Sequence, residues 1–376
     1  MLYDKPMKMN KTIYIIPFVL LISLACAFVQ NMVFPPSPIP EPPPTQSTKS
    51  SELSSRTAIP DIPTETPLPT AEPLDNPEPI TCNNDDCLNA CLDRLDQVLE
   101  TRPFAPIRNS IYEEQGAQFN LVLYKVDGDE ISGPTILYVP SEYRKYQEDT
   151  ASHLRIWKFY VAMIPAELRK LVKEFVIFTD GPEDTSAWVQ PSPTYKGYWQ
   201  VGFDLLDSDY PAYLADTLVH ETAHLLTLNT SQIPDDENQY YYYDDKHNTF
   251  MKCEQYAGDG GCSLPDSYIN LFYQKFWKSV YKEWWETDRK AQDTKTFEEY
   301  LNVMEQFYDR HPKMFINSYA ASNIDEDIAE SFAYFALNPK PSRKSIYEQK
   351  VIFYYQFPEL VEYRQQIIEG LCSYVR

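Results

Sequence analysis

The pentapeptide His-Glu-Thr-Ala-His at residues 220–224 constrains the fold of this chain more than any other feature. It lies within the apolar run Leu-Val-His-Glu-Thr-Ala-His-Leu-Leu-Thr-Leu, which predicts a buried helix. At 3.6 residues per turn, His220 and His224 project from one helix face, and Glu221 lies about 100° round the helix. Two neutral imidazoles at this spacing can bind Zn²⁺, and a neighbouring carboxylate can accept a proton from water beside the metal. The pattern therefore predicts a zinc site on a helix.

A catalytic zinc site of this kind requires a third protein ligand and an open position for water. The stretch Asp-Glu-Asp-Ile-Ala-Glu-Ser-Phe-Ala-Tyr-Phe at residues 325–335 places acidic residues among apolar ones with helical spacing. A helix of this composition can bury one face and turn a carboxylate towards the two imidazoles. We therefore look for the third ligand within residues 325–335, although about 100 residues separate this stretch from His224.

At these residues the chain resembles the gluzincins, zinc peptidases whose third ligand is a glutamate on the helix after the His-Glu helix. The closer resemblance is to the branch that includes anthrax lethal factor and the Pro-Pro endopeptidases, and to bacterial zinc-binding metallopeptidases of uncharacterised substrate. It implies that Glu326 is the third zinc ligand. Glu330 would be a neighbouring acid that accepts a hydrogen bond from an imidazole or shapes the local field. Tyr319, seven residues before Glu326, matches the catalytic tyrosine of that branch, which implies a hydroxyl that donates to the oxyanion.

The resemblance also implies a fold and an activity. The fold would be α+β and zincin-like, with an N-terminal mixed sheet, an active-site helix and a mostly helical C-terminal lobe. An insertion at about residues 230–312 would be looped out between the two zinc-binding helices. The activity would be hydrolysis of a peptide or protein substrate, with one catalytic Zn²⁺, Glu221 as general base and Tyr319 as the second catalytic residue.

Two other functions remain open on the sequence. The first is a non-catalytic surface binding protein that keeps the zincin fold, and the second is a zinc-dependent cell-wall amidase. The intact Glu221 argues against the binding protein, because recognition alone needs no general base. The amidase differs from the peptidase in substrate and not in metal site.

The N-terminal residues 1–34 predict export. Lys8 and Lys11 precede a long apolar stretch, a pattern typical of a signal sequence. Three outcomes are compatible with it: lipidation of Cys26, cleavage after Ala27, or retention as an uncleaved anchor. The protein is therefore expected outside the cytoplasm, either attached to the cell surface or secreted, with membrane contact only through this segment.

Composition divides the rest of the chain in two. Residues 35–80 are rich in Pro, Ser and Thr and predict a disordered linker, because such a composition cannot bury a core. Residues 81–376 predict one metallopeptidase domain. The net charge is −22, and the sequence contains no basic patch, which argues against nucleic acid as a partner. Nothing in the sequence indicates an oligomeric state.

Six cysteines remain once Cys26 is assigned to the export segment. An even number in an exported domain predicts up to three disulfides. Cys253 and Cys262 flank a Gly-rich turn and are the expected local pair. The alternative is a structural zinc site in the N-terminal cluster, although its spacing is unusual for zinc. The six are Cys82, Cys87, Cys91, Cys253, Cys262 and Cys372.

Hydrophobic patterns predict several further elements. Strands are expected at 117–127, 135–139, 176–179 and 198–203. The last of these alternates apolar and polar residues, which predicts a half-exposed edge strand around Val201 that could bind an extended peptide. The metal-binding helix is expected at 211–229. A long amphipathic helix is expected at 265–289, starting from a capping box at Ser263 and Asp266.

Overall fold

The structure is a computed structural model in which residues 85–101, 119–180, 185–207, 211–234, 253–258, 261–294 and 296–375 are described. The predicted export segment at 1–34 with Cys26, and the predicted linker at 35–80, lie outside these residues. Within the described part of the chain, none of the helices combines the length and the apolar character that a membrane span requires.

A mixed sheet of five strands forms the first half of the fold. Its order is β2-β1-β3-β5-β4, with β3 parallel to β5 and every other neighbouring pair antiparallel. The strands are β1 (Phe119–Asp127), β2 (Glu130–Ile136), β3 (Val172–Thr179), β4 (Ala187–Pro191) and β5 (Trp199–Asp204).

The hairpin between β1 and β2 shows why one predicted strand is displaced. Asp127 pairs with Glu130, which leaves a two-residue turn that starts at Gly128. The φ angle of Gly128 is +61°, a conformation that glycine adopts without steric cost. The second strand therefore starts at Glu130, earlier than the 135–139 segment that the sequence predicts.

Strand β5 is an interior strand, so the prediction of an edge strand around Val201 is wrong. Strands β3 and β4 pair with its two sides, and Val201 is fully buried. The polar residue that suggested exposure, Gln200, donates to Glu174 Oε2 at 2.8 Å and accepts from Gln190 at 2.7 Å. Because neighbouring side chains satisfy its amide, Gln200 is buried in the sheet. The outer strand on this side is β4, which the sequence patterns did not predict.

Helices make up most of the remaining described chain, which confirms the α+β class. Short 3₁₀ turns lie at Ser141–Tyr143 and Tyr354–Gln356. The helices are α1 (Asp85–Thr101), α2 (Arg144–Glu148), α3 (Thr150–Met163), α4 (Ala166–Arg169), α5 (Pro211–Thr227), α6 (Tyr268–Phe272), α7 (Tyr281–Gln292), α8 (Phe297–Arg310), α9 (Ile324–Leu337), α10 (Ile346–Phe353) and α11 (Pro358–Tyr374).

Aromatic side chains join the sheet to helix α3. Trp157 and Tyr160 of α3 lie over Phe175 of β3 and Phe203 of β5, with ring centroids 5.1 Å apart for Trp157 and Phe175 and 5.5 Å apart for Tyr160 and Phe203. All four are almost fully buried. Helix α5 packs against β4 and α9, and α1 packs against α5 and α11. The pair α5 and α9 therefore lies at the boundary between the sheet and the helical half.

The described residues of the segment between α5 and α9, from Cys253 onward, pack onto the fold. The segment contains the small hairpin β6 (Ala257–Gly258) and β7 (Gly261–Cys262), then α6, a π turn at Tyr273–Trp277, α7 and α8. The single helix expected at 265–289 is thus broken, and Ser267 caps its start instead of the Ser263 and Asp266 box. Trp277 of the π turn is fully buried against the main core.

Disulfides join distant parts of the described chain. Cys253 and Cys262 are bonded, which confirms the predicted local pair, and Cys91 of α1 is bonded to Cys372 of α11. Cys87 is also disulfide-bonded. A structural zinc site at the N-terminal cysteine cluster is incompatible with this bonding, because metal ligation needs free thiolates. The disulfides are consistent with an extracytoplasmic location.

Candidate metal centre

Helix α5 buries the whole His-Glu-Thr-Ala-His turn. The exposed fractions of His220, Glu221 and His224 are 5, 5 and 7 %. The Nε2 atoms of the two histidines lie 3.1 Å apart, so both rings direct the same nitrogen to one point. The side chains that the sequence spacing places on one helix face therefore converge as predicted.

Helix α9 packs against α5 and brings Glu326 to the same point. Its Oε2 atom lies 3.0 Å from His220 Nε2 and 3.4 Å from His224 Nε2. Asn323 caps α9 by accepting a hydrogen bond from the Glu326 N–H at 2.8 Å, which fixes the first turn. Donors bound about 2.0 to 2.1 Å from a tetrahedral zinc ion lie about 3.3 Å from one another. The three atoms thus have the spacing of one face of a zinc tetrahedron, and two imidazoles with one carboxylate are a donor set that suits zinc.

Glu221 lies beside these three atoms. One of its carboxylate oxygens lies within 4.8 Å of a nitrogen of each histidine. The backbone N–H of Val189 in β4 donates a hydrogen bond to the carboxylate. Burial raises the pKa of Glu221 to about 7, although the nearby imidazoles lower it. A carboxyl group with this pKa can accept and release a proton near neutral pH, which a general base must do.

Glu330 holds the ring of His220 from the opposite side. Its Oε1 lies 2.9 Å from His220 Nδ1, and Asn317 Nδ2 donates to its Oε2 at 2.6 Å. A carboxylate on Nδ1 fixes the ring orientation and leaves Nε2 available as a ligand. His224 lacks this support, because its buried Nδ1 has no hydrogen-bond partner among the described residues.

Tyr319 lies next to the predicted metal ligands. The centroids of the Tyr319 and His220 rings are 5.8 Å apart, and the rings are tilted by 32°. Tyr319 belongs to a turn just before α9, in which the Ser322 N–H donates to the Tyr319 carbonyl at 2.9 Å. The structure therefore brings this sequence-predicted residue to the site together with the other five.

Burial and the neighbouring charges shift the pKa values of the site residues in opposite directions. Burial alone would raise the pKa of Glu326, but His224 and His220 outweigh it and hold the pKa well below its usual range. Burial alone would lower the pKa of His220, but Glu326 and Glu330 outweigh it and raise the pKa well above 6.5. The group of side chains is therefore arranged to hold positive charge between carboxylates, supplied by a proton or by a metal ion.

Asp216 is a site residue that the sequence reasoning missed. Burial, and then the nearby Glu330, raise the pKa of Asp216 to about 7, while His220 lowers it. Its position four residues before His220 places it on the same face of α5 as His220, one turn earlier. The spacing 216, 220, 224 was thus a usable signal. Asn317 was also missed, and its position in an irregular loop offers no such pattern.

A second group of acids, of which Asp180 and Asp204 are buried, lies at the carboxyl ends of β3 and β5. Oxygens of Asp180, Asp204 and Asp207 lie within 4.8 Å of one another. The Asp180 N–H and the Leu206 N–H donate to Asp204 at 2.9 and 2.6 Å. Burial, Asp207 and Asp180 all raise the pKa of Asp204 well above its usual value. Backbone donors to Asp204 thus connect the two loops that follow these strands.

Comparisons with protein-family models, with curated proteins and with solved structures found no match to this chain. We therefore infer its function from the geometry of the site.

Proposed function

We propose that this protein is an exported zinc metalloendopeptidase of the gluzincin type. The observation that carries the proposal is the convergence of His220 Nε2, His224 Nε2 and Glu326 Oε2 at 3.0 to 3.4 Å, with Glu221 beside them. Two ligands come from α5 and the third from the partner helix α9, as the resemblance to gluzincins implies. The mixed sheet with β4 alongside α5 is compatible with a zincin-like fold.

Each side chain then has a role in peptide hydrolysis. A zinc ion bound by the three ligands supplies Lewis acidity towards the scissile carbonyl and towards water. Glu221 accepts the proton of the attacking water and passes it to the leaving amine. Tyr319 donates its hydroxyl hydrogen to the carbonyl oxygen as negative charge develops, a contribution of roughly 3 kcal/mol. Glu330 keeps the His220 ring in its ligating orientation.

Strand β4 is the surface on which an extended substrate would pair. The Asp204 N–H of β5 donates to the carbonyl of Ser186, which lies just before β4. Hydrogen-bonded and non-hydrogen-bonded pairs alternate along an antiparallel pair, so the even-numbered residues of β4 are the ones that bond to β5. The odd-numbered residues Ala187 and Val189 therefore direct their backbone groups away from β5; because the Val189 N–H already donates to Glu221, a substrate would pair there with the Val189 carbonyl. Pro191 has no backbone N–H, so β4 offers no donor to a substrate at that residue. Main-chain pairing of this kind binds peptides with little side-chain preference.

Outside the site, the disulfides and the N-terminal sequence favour a protein exported from the cytoplasm. The basic and apolar residues of 1–34, with Cys26, would either anchor the domain by lipid or helix or be removed. Residues 35–80 would then hold the catalytic domain away from the surface.

Metal content and hydrolysis, measured together, test the proposal. The full chain is purified, its zinc is quantified, and a mixed peptide pool is incubated with it and analysed by mass spectrometry. We expect one zinc per chain and cleaved peptides, and Glu221→Gln should keep zinc and the fold but lose hydrolysis by more than about 100-fold.

Other results would support the other functions. Stoichiometric zinc with no cleavage of any peptide would favour the binding protein. Release of cell-wall fragments without peptide cleavage would favour the amidase. Hydrolysis by Glu221→Gln above about one hundredth of the wild-type rate would contradict the role of Glu221.

A further inference from the structure

The segment between α5 and α9 contacts the chain on both sides of Glu326 through hydrogen bonds. In each case an aromatic side chain of the segment is the donor, and an oxygen between residues 322 and 327 is the acceptor. The three pairs are Tyr256 Oη to Asp325 Oδ1 at 2.9 Å, Trp277 Nε1 to Asp327 Oδ2 at 2.6 Å, and Trp284 Nε1 to the Ser322 carbonyl at 2.6 Å.

Trp284 binds the turn that carries Tyr319. The Ser322 N–H donates to the Tyr319 carbonyl, and the carbonyl of the same Ser322 accepts from the Trp284 indole. At the start of the turn, Asn317 Oδ1 accepts from the Ala320 N–H at 2.8 Å. The turn is thus held from two sides, by Asn317 from within and by Trp284 from the inserted segment.

The irregular helix of the segment places the two tryptophans. The π turn closes with a hydrogen bond from Lys278 N–H to the Tyr273 carbonyl, five residues back. A π turn adds one residue to the helical repeat and so rotates the residues that follow it. Trp277 and Trp284 consequently pack edge to face with ring centroids 5.9 Å apart, and both indole N–H groups point to the start of α9.

We propose that the inserted segment is a positioning element of the metal site, and that Trp284 is a positioning residue for Tyr319. Trp284 acts on the site through the Ser322 carbonyl. By fixing the turn, it keeps the Tyr319 ring against His220. The consequence for catalysis rests on the proposed peptidase function, whereas the consequence for the turn does not.

Hydrogen exchange tests the positioning directly and needs no activity. In Trp284→Phe the indole donor is absent, so the amides of Ala321 and Ser322, which donate within the turn, should exchange about 10-fold faster. Trp285→Phe is the matched control, because Trp285 is the next residue of α7 and its ring stacks with Arg289 at 4.8 Å. The control should leave the exchange of both amides unchanged.

The activity arm uses a double-mutant cycle. Trp284→Phe should lower kcat by about 10-fold, with KM and zinc stoichiometry unchanged, because Tyr319 acts in the transition state. In a Tyr319→Phe background the same substitution should have no further effect, since the hydroxyl it positions is gone. A purely structural role would instead lower kcat in both backgrounds.

A second substitution at position 284 keeps the test valid if the phenylalanine variant does not fold. 3-Benzothienylalanine at position 284 keeps the two fused rings and lacks the N–H, so it isolates the hydrogen bond. Unchanged amide exchange at 321 and 322 in this form would overturn the proposal. Faster exchange in a protein whose wild type cleaves nothing would support the positioning role and would count against the peptidase function alone.

Discussion

Helix α9 places two adjacent acidic side chains in opposite surroundings. Glu326 faces the two imidazoles of α5, whereas Asp327 faces Lys350 of α10 and the indole of Trp277. Both carboxyl groups are buried, and burial raises the pKa of each. The imidazoles more than offset this for Glu326, while the pKa of Asp327 remains raised, at about 6.

The difference lies in where the balancing positive charge comes from. Lys350 is part of the chain, fully buried, and lies over the ring of Phe315 at 4.1 Å, so the fold supplies the counter-charge of Asp327. The partners of Glu326 are the imidazoles of His220 and His224, whose proton a metal ion can replace. One side of α9 thus has its counter-charge within the fold, and the other side is the cation site that we propose.

The largest expected effect is the loss of zinc affinity when the proposed cation site on α9 is disrupted. Glu326→Ala removes one of three ligand atoms, so we expect zinc affinity to fall by at least about 1000-fold. The domain should remain folded, because the core contacts of α9 are untouched. Equilibrium dialysis with a zinc chelator measures the affinity, and circular dichroism checks the fold. Retention of zinc by this variant would remove Glu326 from the ligand set.

The second largest expected effect is a loss of stability when the ion pair between Asp327 and Lys350 is disrupted. Lys350→Met leaves Asp327 buried without its cation, and we expect the free energy of unfolding to fall by about 3 kcal/mol. Zinc affinity of the folded protein should change less than about threefold. Denaturant titration measures the loss. The double variant Asp327→Leu with Lys350→Met should recover much of it, and a failure to recover would indicate that packing dominates.

A third substitution separates direct ligands from supporting groups. Glu330→Ala removes the acceptor of His220 Nδ1 but no ligand atom, so zinc affinity should fall by about 10- to 100-fold. The same competition assay measures it. If this variant lost more affinity than Glu326→Ala, the ligand would lie one turn later on α9 than we propose.

The smallest effect concerns pH. Because the pKa of His220 is raised in the folded protein, its stabilising contribution is complete below about pH 6.5 and is lost as the pH rises through the raised value. The raised pKa of Asp216 acts with the same sign, since the folded state holds its proton longer. The Tm of the zinc-free protein should therefore fall by a few degrees between about pH 6 and pH 8.5, and zinc should reverse the trend. Calorimetry with and without a zinc chelator measures the Tm at each pH. A Tm that does not change with pH would contradict the prediction.

Sequence periodicity was sufficient to predict the site residues on α5 and insufficient to predict those on α9. His220, Glu221 and His224 are local in sequence, so helical geometry alone predicts their convergence. Glu326 is distant, and only the resemblance to gluzincins pointed to it before the packing of α9 on α5 brought it there. Asn317 acts through an irregular turn, for which the sequence carries no periodic signal.

The wrong prediction of an edge strand came from a polar residue whose amide the fold satisfies internally. The alternation around Gln200 indicated a half-exposed strand, but its amide bonds to Glu174 and Gln190 in neighbouring strands. Which polar residues find such partners depends on strand order, and strand order is not encoded within one strand. The same limit applies to β4, whose edge position follows only from the sheet topology.

The bond between Cys91 and Cys372 closes a covalent ring around nearly the whole described domain, with a sequence separation of 281 residues. A single backbone cut between these cysteines opens the ring but cannot divide the molecule into two pieces. Any protease that cuts one loop between Cys91 and Cys372 therefore leaves a product of unchanged mass apart from one added water. Separation into two fragments would become visible only after reduction.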